Sequence, residues 1–101
     1  MAEFITIANQ DELKPGECKI VEASGKTLAL YNVEGTFYAT DNTCLHQGGP
    51  LGDGDLDGKI ITCPWHFWQF DVTTGENTVD PNTKVKCFQV QIEEETIQLK
   101  I

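Results

Sequence analysis

Both histidines of this 101-residue chain and two of its four cysteines fall in two short pairs, Cys44-Leu45-His46 and Cys63-Pro64-Trp65-His66, with sixteen residues between them. Thiolates and neutral imidazoles are both good ligands for borderline-soft metals, so the question is what chemistry uses two of each. A structural zinc accepts a Cys2His2 set, but finger spacing groups cysteine with cysteine and histidine with histidine, unlike this alternation. A nucleophilic Cys-His dyad needs one pair and leaves the other unexplained. A two-iron, two-sulfide cluster with both thiolates on one iron and both imidazoles on its neighbour uses all four. The alternation suits this third use, because two loops that meet antiparallel can each supply one ligand to each iron.

Loops of that kind need a rigid frame to aim them. The runs EFITIA, CKIVEA, TLALYN, GTFYAT, KIITC, FWQFDV, KCFQVQIE and TIQLKI are short, alternating and rich in β-branched or aromatic residues, and they read as strands. Turn residues fall between them at Ser24-Gly25, Glu34-Gly35, Thr74-Gly75 and Asp80-Pro81-Asn82. Only ANQDEL has a helical pattern, barely one turn long, with Asn9 as its cap. The pattern predicts an all-β fold of short antiparallel strands, and the length predicts a single domain over residues 1–101. The long interruption from Thr43 to Lys59 opens with the first Cys/His pair. The second pair ends KIITC and opens FWQFDV, so both pairs sit on loops at strand ends, within approximately residues 43–71.

Other signals are weaker. Asp53 to Gly58, DGDLDG, fits the first half of a calcium-binding EF-hand loop, but the twelfth position is Pro64 where glutamate is needed. An acidic, solvated turn is the simpler reading. Cys18 and Cys87 fall in strands and read as small buried hydrophobes, and Glu93-Glu94-Glu95 reads as a hairpin turn.

Sixteen Asp plus Glu face seven Lys, with no Arg, for a formal charge of −9. Such a chain is repelled by nucleic acid and by anionic membrane surfaces, and it attracts a basic protein partner. The N-terminal MAEFITIANQDELKPG has neither a basic n-region nor a long apolar run, so it reads as a mature strand. Cytoplasmic residence, with cysteines used as ligands and not as disulfides, is the expectation.

The text Cys44-x-His46-x-Gly48-x-Pro50-Leu51, then Gly58, Ile61, Cys63-Pro64-x-His66, Phe70-Asp71 and Thr74-Gly75, resembles the signature of the Rieske iron–sulfur proteins. The resemblance implies a small antiparallel β-sandwich or barrel with a cluster-binding subdomain of two loops, holding one [2Fe-2S] cluster. It implies that Cys44 and Cys63 bind one iron and that His46 and His66 bind the other. The loop at Asp80-Pro81-Asn82 resembles the proline loop that covers the cluster. Leu45, Gln47, Pro64, Trp65 and Pro81 would then form the docking rim.

Two neutral imidazoles in place of two thiolates make an added electron easier to hold, and Rieske centres span about −150 to +300 mV. High-potential members carry an additional cysteine in each loop, joined as a disulfide, and a serine and a tyrosine that hydrogen-bond the cluster sulfurs. Here the second-loop cysteine position is Trp65, and Gln47-Gly48-Gly49 holds no cysteine. The serine and tyrosine positions are Trp68 and Phe70. Hydrogen bonds to sulfur stabilise the reduced cluster, so their absence implies a potential near the bottom of the range.

The resemblance implies an electron-transfer protein with no catalytic site of its own. It would be a ferredoxin passing single electrons from a flavin- or NAD(P)H-dependent reductase to the terminal oxygenase of an aromatic-ring dioxygenase or similar system of aromatic hydrocarbon catabolism. The size and the missing disulfide resemble dioxygenase ferredoxins. His66-Phe67-Trp68-x-Phe70 and His46-Gln47 are instead similar to the Rieske component of toluene-type diiron monooxygenases. A third alternative is the Rieske-like small subunit of nitrite reductase, many of which lack the four ligands found here.

Overall fold

The computed structural model of the chain describes residues 4–23, 25–42, 50–64, 67–80 and 82–100. Among them run strands β1 (Phe4–Asn9), β2 (Cys18–Ala23), β3 (Lys26–Val33), β4 (Thr36–Asp41), β5 (Asp55–Asp57), β6 (Ile60–Thr62), β7 (Gln69–Asp71), β8 (Cys87–Glu93) and β9 (Thr96–Lys100). Six of them make one antiparallel sheet in the order β1-β9-β8-β4-β3-β2, and β5-β6-β7 make a second. The outer strands β1 and β2 approach each other, so the larger sheet curls toward a closed barrel and hides most of its edges. This is the all-β antiparallel architecture the strand pattern predicts.

Strand β3 explains why TLALYN lacks polar alternation. Leu28, Ala29, Leu30, Tyr31 and Asn32 are all buried. Successive side chains on a strand point to opposite faces, so a strand with material on both sides is apolar throughout. Leu28 and Leu30 join the first core, with Val21, Phe37, Ile97 and Leu99 inside the curled sheet. Ala29 and Tyr31 face the other way, into a second core with Leu51, Ile61, Cys63, Phe70, Val72 and Val85. Burying each large aliphatic or aromatic side chain contributes about 1.5–3 kcal/mol, so this second core is what fastens the three-stranded sheet to the barrel.

The hairpin turns need left-handed residues. Glu34 and Gly35 (φ 52° and 95°) join β3 to β4, and Glu94 and Glu95 (φ 48° and 71°) join β8 to β9. Two left-handed residues make the two-residue turn whose twist matches the strands it joins.

Four expectations change in detail. The ANQDEL turn is a 3-10 turn, Gln10–Glu12, in which the Asn9 amide donates to Glu12 Oε2 at 2.8 Å. FWQFDV is extended only from Gln69, because the Cys63 amide donates to the Trp68 carbonyl at 2.7 Å and closes a loop there. DGDLDG is not simply a turn: Asp55, Leu56 and Asp57 pair with Thr62, Ile61 and Ile60. Leu56 packs against the second core, while the exposed Asp55 and Asp57 discourage pairing at the sheet's open edge. Cys87 is exposed where it begins β8, opposite Thr40, whereas Cys18 is half-buried. Burial and the nearby carboxylates of Asp53, Asp55 and Glu17 push the Cys18 thiol up to about 11, leaving it an unreactive thiol at neutral pH.

Candidate metal centre

Strand β4 ends at Asp41 and delivers the chain to Asn42, which anchors the first loop at its base. The backbone amide of Asn42 donates to Thr27 O at 3.3 Å, and its carbonyl accepts from Leu51 at 2.8 Å. Its side-chain Oδ1 accepts the amide of Gly52, also at 2.8 Å. Asn42 is thereby bonded to β3 through Thr27 and to Leu51 and Gly52. Leu51, fully buried, begins a single 3-10 turn through Asp53.

The second loop leaves β6 at Cys63, whose side chain is fully buried in the second core. The Cys63–Trp68 bond closes its neck, and Gln69 Nε2 donates to Thr62 Oγ1 at 3.2 Å beside it. Trp68 lies half-buried against this core with its ring 6.3 Å from that of the buried Phe70. These rings supply apolar cover and no hydroxyl donor, while the buried Tyr31 hydroxyl is engaged with Thr40 Oγ1 at 2.9 Å.

One contact brings the loops together. A Cβ on Gly54 would lie 2.1 Å from the Thr62 carbonyl oxygen, closer than real Cβ atoms come. Only glycine lets the exit of the first loop pass so near the residue that precedes Cys63. A second such contact sits beneath the loops: Gly75, at φ +84°, would place a Cβ 2.3 Å from Val85 O. Gly75 closes the turn after β7, where its amide donates to Asp71 O at 2.6 Å. Burial alone would push the Asp71 carboxyl up, but bonds from the Thr73 hydroxyl and amide and the Lys59 ammonium at 3.3 Å outweigh it. They hold the group below its ordinary value.

Residues 77–80 lie beside Gln69 and Trp68. The Thr78 amide donates to Gln69 O at 3.0 Å, and Asn77 Oδ1 accepts from Val79 and Asp80 at 2.8 and 3.0 Å. Phe67, 75% exposed and left-handed at φ 60°, faces a recess of about 320 Å³ shared with Trp68, Asn77 and Val79.

Of the four ligand candidates, Cys63 is described. Cys44, His46 and His66 lie outside the described residues, as do Leu45, Gln47, Trp65 and Pro81 of the expected rim. Pro64 is exposed, next to Cys63.

The sequence model of the Rieske [2Fe-2S] domain matches residues 3–89. The chain belongs to the Rieske [2Fe-2S] family. It is 42% identical, over 97% of its length and 95% of the relative's, to the ferredoxin component of the naphthalene 1,2-dioxygenase/salicylate 5-hydroxylase systems of Ralstonia sp.. It is 42% identical, over 89% of its length and 88% of the relative's, to the ferredoxin component of the naphthalene 1,2-dioxygenase system of Pseudomonas aeruginosa. Among solved structures, the Sphingomonas yanoikuyae B1 ferredoxin superposes with a TM-score of 0.90 at 34% identity, covering 98% of this chain and 99% of that one.

The Rieske cofactor is one [2Fe-2S] cluster, and the frame fits it. A buried thiol sits at the end of a short, pinned strand, apolar rings pack in the same core, and Gly54 passes within contact distance of Thr62 beside it. Of the residues that make this frame, sequence reasoning did not single out Asn42 or Gly54, and it read Gly75 only as a turn residue and part of the signature. Their signal was an Asx residue at a strand end and two glycines inside turn-rich text, which does not distinguish an anchor from an ordinary turn.

Proposed function

We propose that this chain is a Rieske ferredoxin of an aromatic-ring dioxygenase system, taking single electrons from a flavin- or NAD(P)H-dependent reductase and giving them to a terminal oxygenase. The observation that carries this reading is the 42% identity to a dioxygenase ferredoxin over 97% of this chain and 95% of the relative. A related ferredoxin, 31% identical with a TM-score of 0.88 over 96% of this chain and 92% of its own, was solved in complex with the oxygenase of carbazole 1,9a-dioxygenase. The monooxygenase reading of Phe67-Trp68 and the nitrite reductase reading are less well supported than these whole-length likenesses.

In this reading residues 1–101 form one cytoplasmic domain, and among the described residues no helix is long and apolar enough to cross a membrane. Cys44 and Cys63 hold one iron and His46 and His66 the other. The cluster supplies one-electron storage. Gly54 and Asn42 keep the two ligand loops at a fixed spacing, so little rearrangement accompanies a change of charge. Trp68 and Phe70 exclude water and offer sulfur no hydroxyl, which favours a midpoint toward about −150 mV. Leu45, Gln47, Pro64, Trp65 and Pro81 are the proposed docking rim.

Cluster-loaded protein should replace the native ferredoxin in a reconstituted naphthalene dioxygenase assay and should be red-brown with two irons and two acid-labile sulfides per chain. Colourless protein carrying one zinc, or loaded protein that reduces no dioxygenase, sinks the reading. A midpoint well above zero by protein-film voltammetry would remove the low-potential argument alone.

A further inference from the structure

A basic recess lies beside the base of the first loop in a molecule of net charge −9. Lys26, Thr27, Leu28, Asp41, Lys86 and Phe88 line a recess of about 370 Å³. The ammonium groups of Lys26 and Lys86 stand 5.8 and 5.2 Å from the centroid of the Phe88 ring. Val85 is turned inward at 3% exposure, which leaves its neighbours Lys84 and Lys86 both facing solvent. The other lysines that approach carboxylates, Lys19 and Lys59, do so at 3.2 and 3.3 Å. Among the described residues neither Lys26 nor Lys86 has such a partner. Asp41, also in the recess, is half-buried and already engaged in a contact of its own.

Two like charges drawn to one half-exposed ring repel each other, and an anion placed between them relieves that repulsion. The position matters as well. Lys86 O accepts the Asp41 amide at 2.8 Å, and Thr27 O accepts the Asn42 amide at 3.3 Å. The recess is thus joined directly to the residue that anchors the segment carrying Cys44 and His46.

We infer that this recess receives an acidic side chain of a protein redox partner, with Lys26 and Lys86 pairing the carboxylate and Phe88 packing its apolar neighbour. This rests on the electron-carrier reading above. It adds that docking is bipolar, since the surrounding acidic surface repels the same carboxylate and so fixes its register. Charge complementarity selects the occupant. A free small carboxylate is disfavoured because Lys26, Thr27 and Lys86 are exposed, and the recess cannot enclose a small ligand as ligand pockets do.

The test uses oxidised, cluster-loaded full-length protein, the K26Q/K86Q variant, and K14Q/K100Q as a control with the same change of charge. In a 15N-edited NMR titration with hexaglutamate, the amides of Lys26, Thr27, Lys86 and Phe88 should shift in wild type and in the control, but not in K26Q/K86Q. Shifts scattered over the surface, or none, overturn the inference, as does saturable micromolar binding of salicylate at these amides. With the reductase and oxygenase of a naphthalene dioxygenase system, K26Q/K86Q should weaken binding to at least one partner about threefold or more and flatten its dependence on salt. The control should bind unchanged or more tightly. If loss of the positive charges at positions 26 and 86 leaves affinity unchanged or raises it for both partners, no partner carboxylate docks there and the inference is wrong. Localised hexaglutamate shifts with no electron delivery to the oxygenase would leave the recess standing and remove the dioxygenase assignment instead.

Discussion

The barrel and the cluster-binding unit solve the same problem with different materials. Barrel strands of five to eight residues pair along most of their length, and its core is mostly aliphatic, with Phe37. The cluster-binding unit has three strands of three residues each, too short to be stable alone. It depends on the second core beneath it, on two glycines with no room for a Cβ, on Asn42, and on a carboxylate in a turn. The barrel is therefore a scaffold with a core of its own, whereas the three-stranded unit is a mount that a bound metal should stabilise.

The sharpest division of the two regions comes from Cys63→Ser. Loss of this thiolate should abolish cluster incorporation, read as loss of visible absorption and of iron, while the far-UV circular dichroism of the barrel persists. Loss of both signals together would mean that the regions are not separable. The barrel itself is broken by Leu30→Ala. Leu30 is fully buried in the first core, and truncation there should cost about 2–5 kcal/mol, lowering the melting temperature of the far-UV and visible signals alike.

Gly54→Ala probes the mount without touching a ligand. The added methyl meets a backbone carbonyl that cannot swing aside, and overpacking of this kind costs about 1–3 kcal/mol. The expected outcome is a cluster lost at lower temperature than in wild type while the far-UV transition hardly moves. An unchanged cluster-loss temperature would show that the contact with Thr62 O does not hold the loops together.

The same contrast accounts for what was legible in the sequence. Barrel strands announced themselves because burial on one or two faces leaves alternation or an apolar run, as in CKIVEA and TLALYN. The two Cys/His pairs drew attention because few arrangements use two cysteines and two histidines, and of the four residues only Cys63 lies among the described ones. β5 was hidden because its inward residue, Leu56, is single and its flanking aspartates read as a turn. Cys87 was misjudged because a small apolar residue at the first position of a strand can stay exposed even where apolar residues further along the strand are partly covered. Asn42, Gly54 and Gly75 act through close approaches to Gly52, Thr62 and Val85, and no local pattern encodes such a distance.

The smallest effect, and the most specific to the mount, concerns Asp71. Its carboxylate accepts from the Thr73 amide at 2.9 Å and from the Thr73 hydroxyl, and it faces Lys59 at 3.3 Å. Because these contacts lower its folded-state value, ionised Asp71 stabilises the fold fully above the unfolded carboxylate value of about 3.9. That contribution disappears as pH falls through the lower folded value. Asp71→Asn should therefore be less stable than wild type by a constant margin between pH 5 and 8, below about 1 kcal/mol because Lys59 is well exposed. The margin should close only in acid below about pH 4. The difference should be larger when unfolding is followed by visible absorption than by far-UV signal, since Asp71 ends a strand of the cluster-binding unit. A margin that widens on acidification would mean that the carboxylate is held above its ordinary value, and the turn would then not be pinned by ionised Asp71.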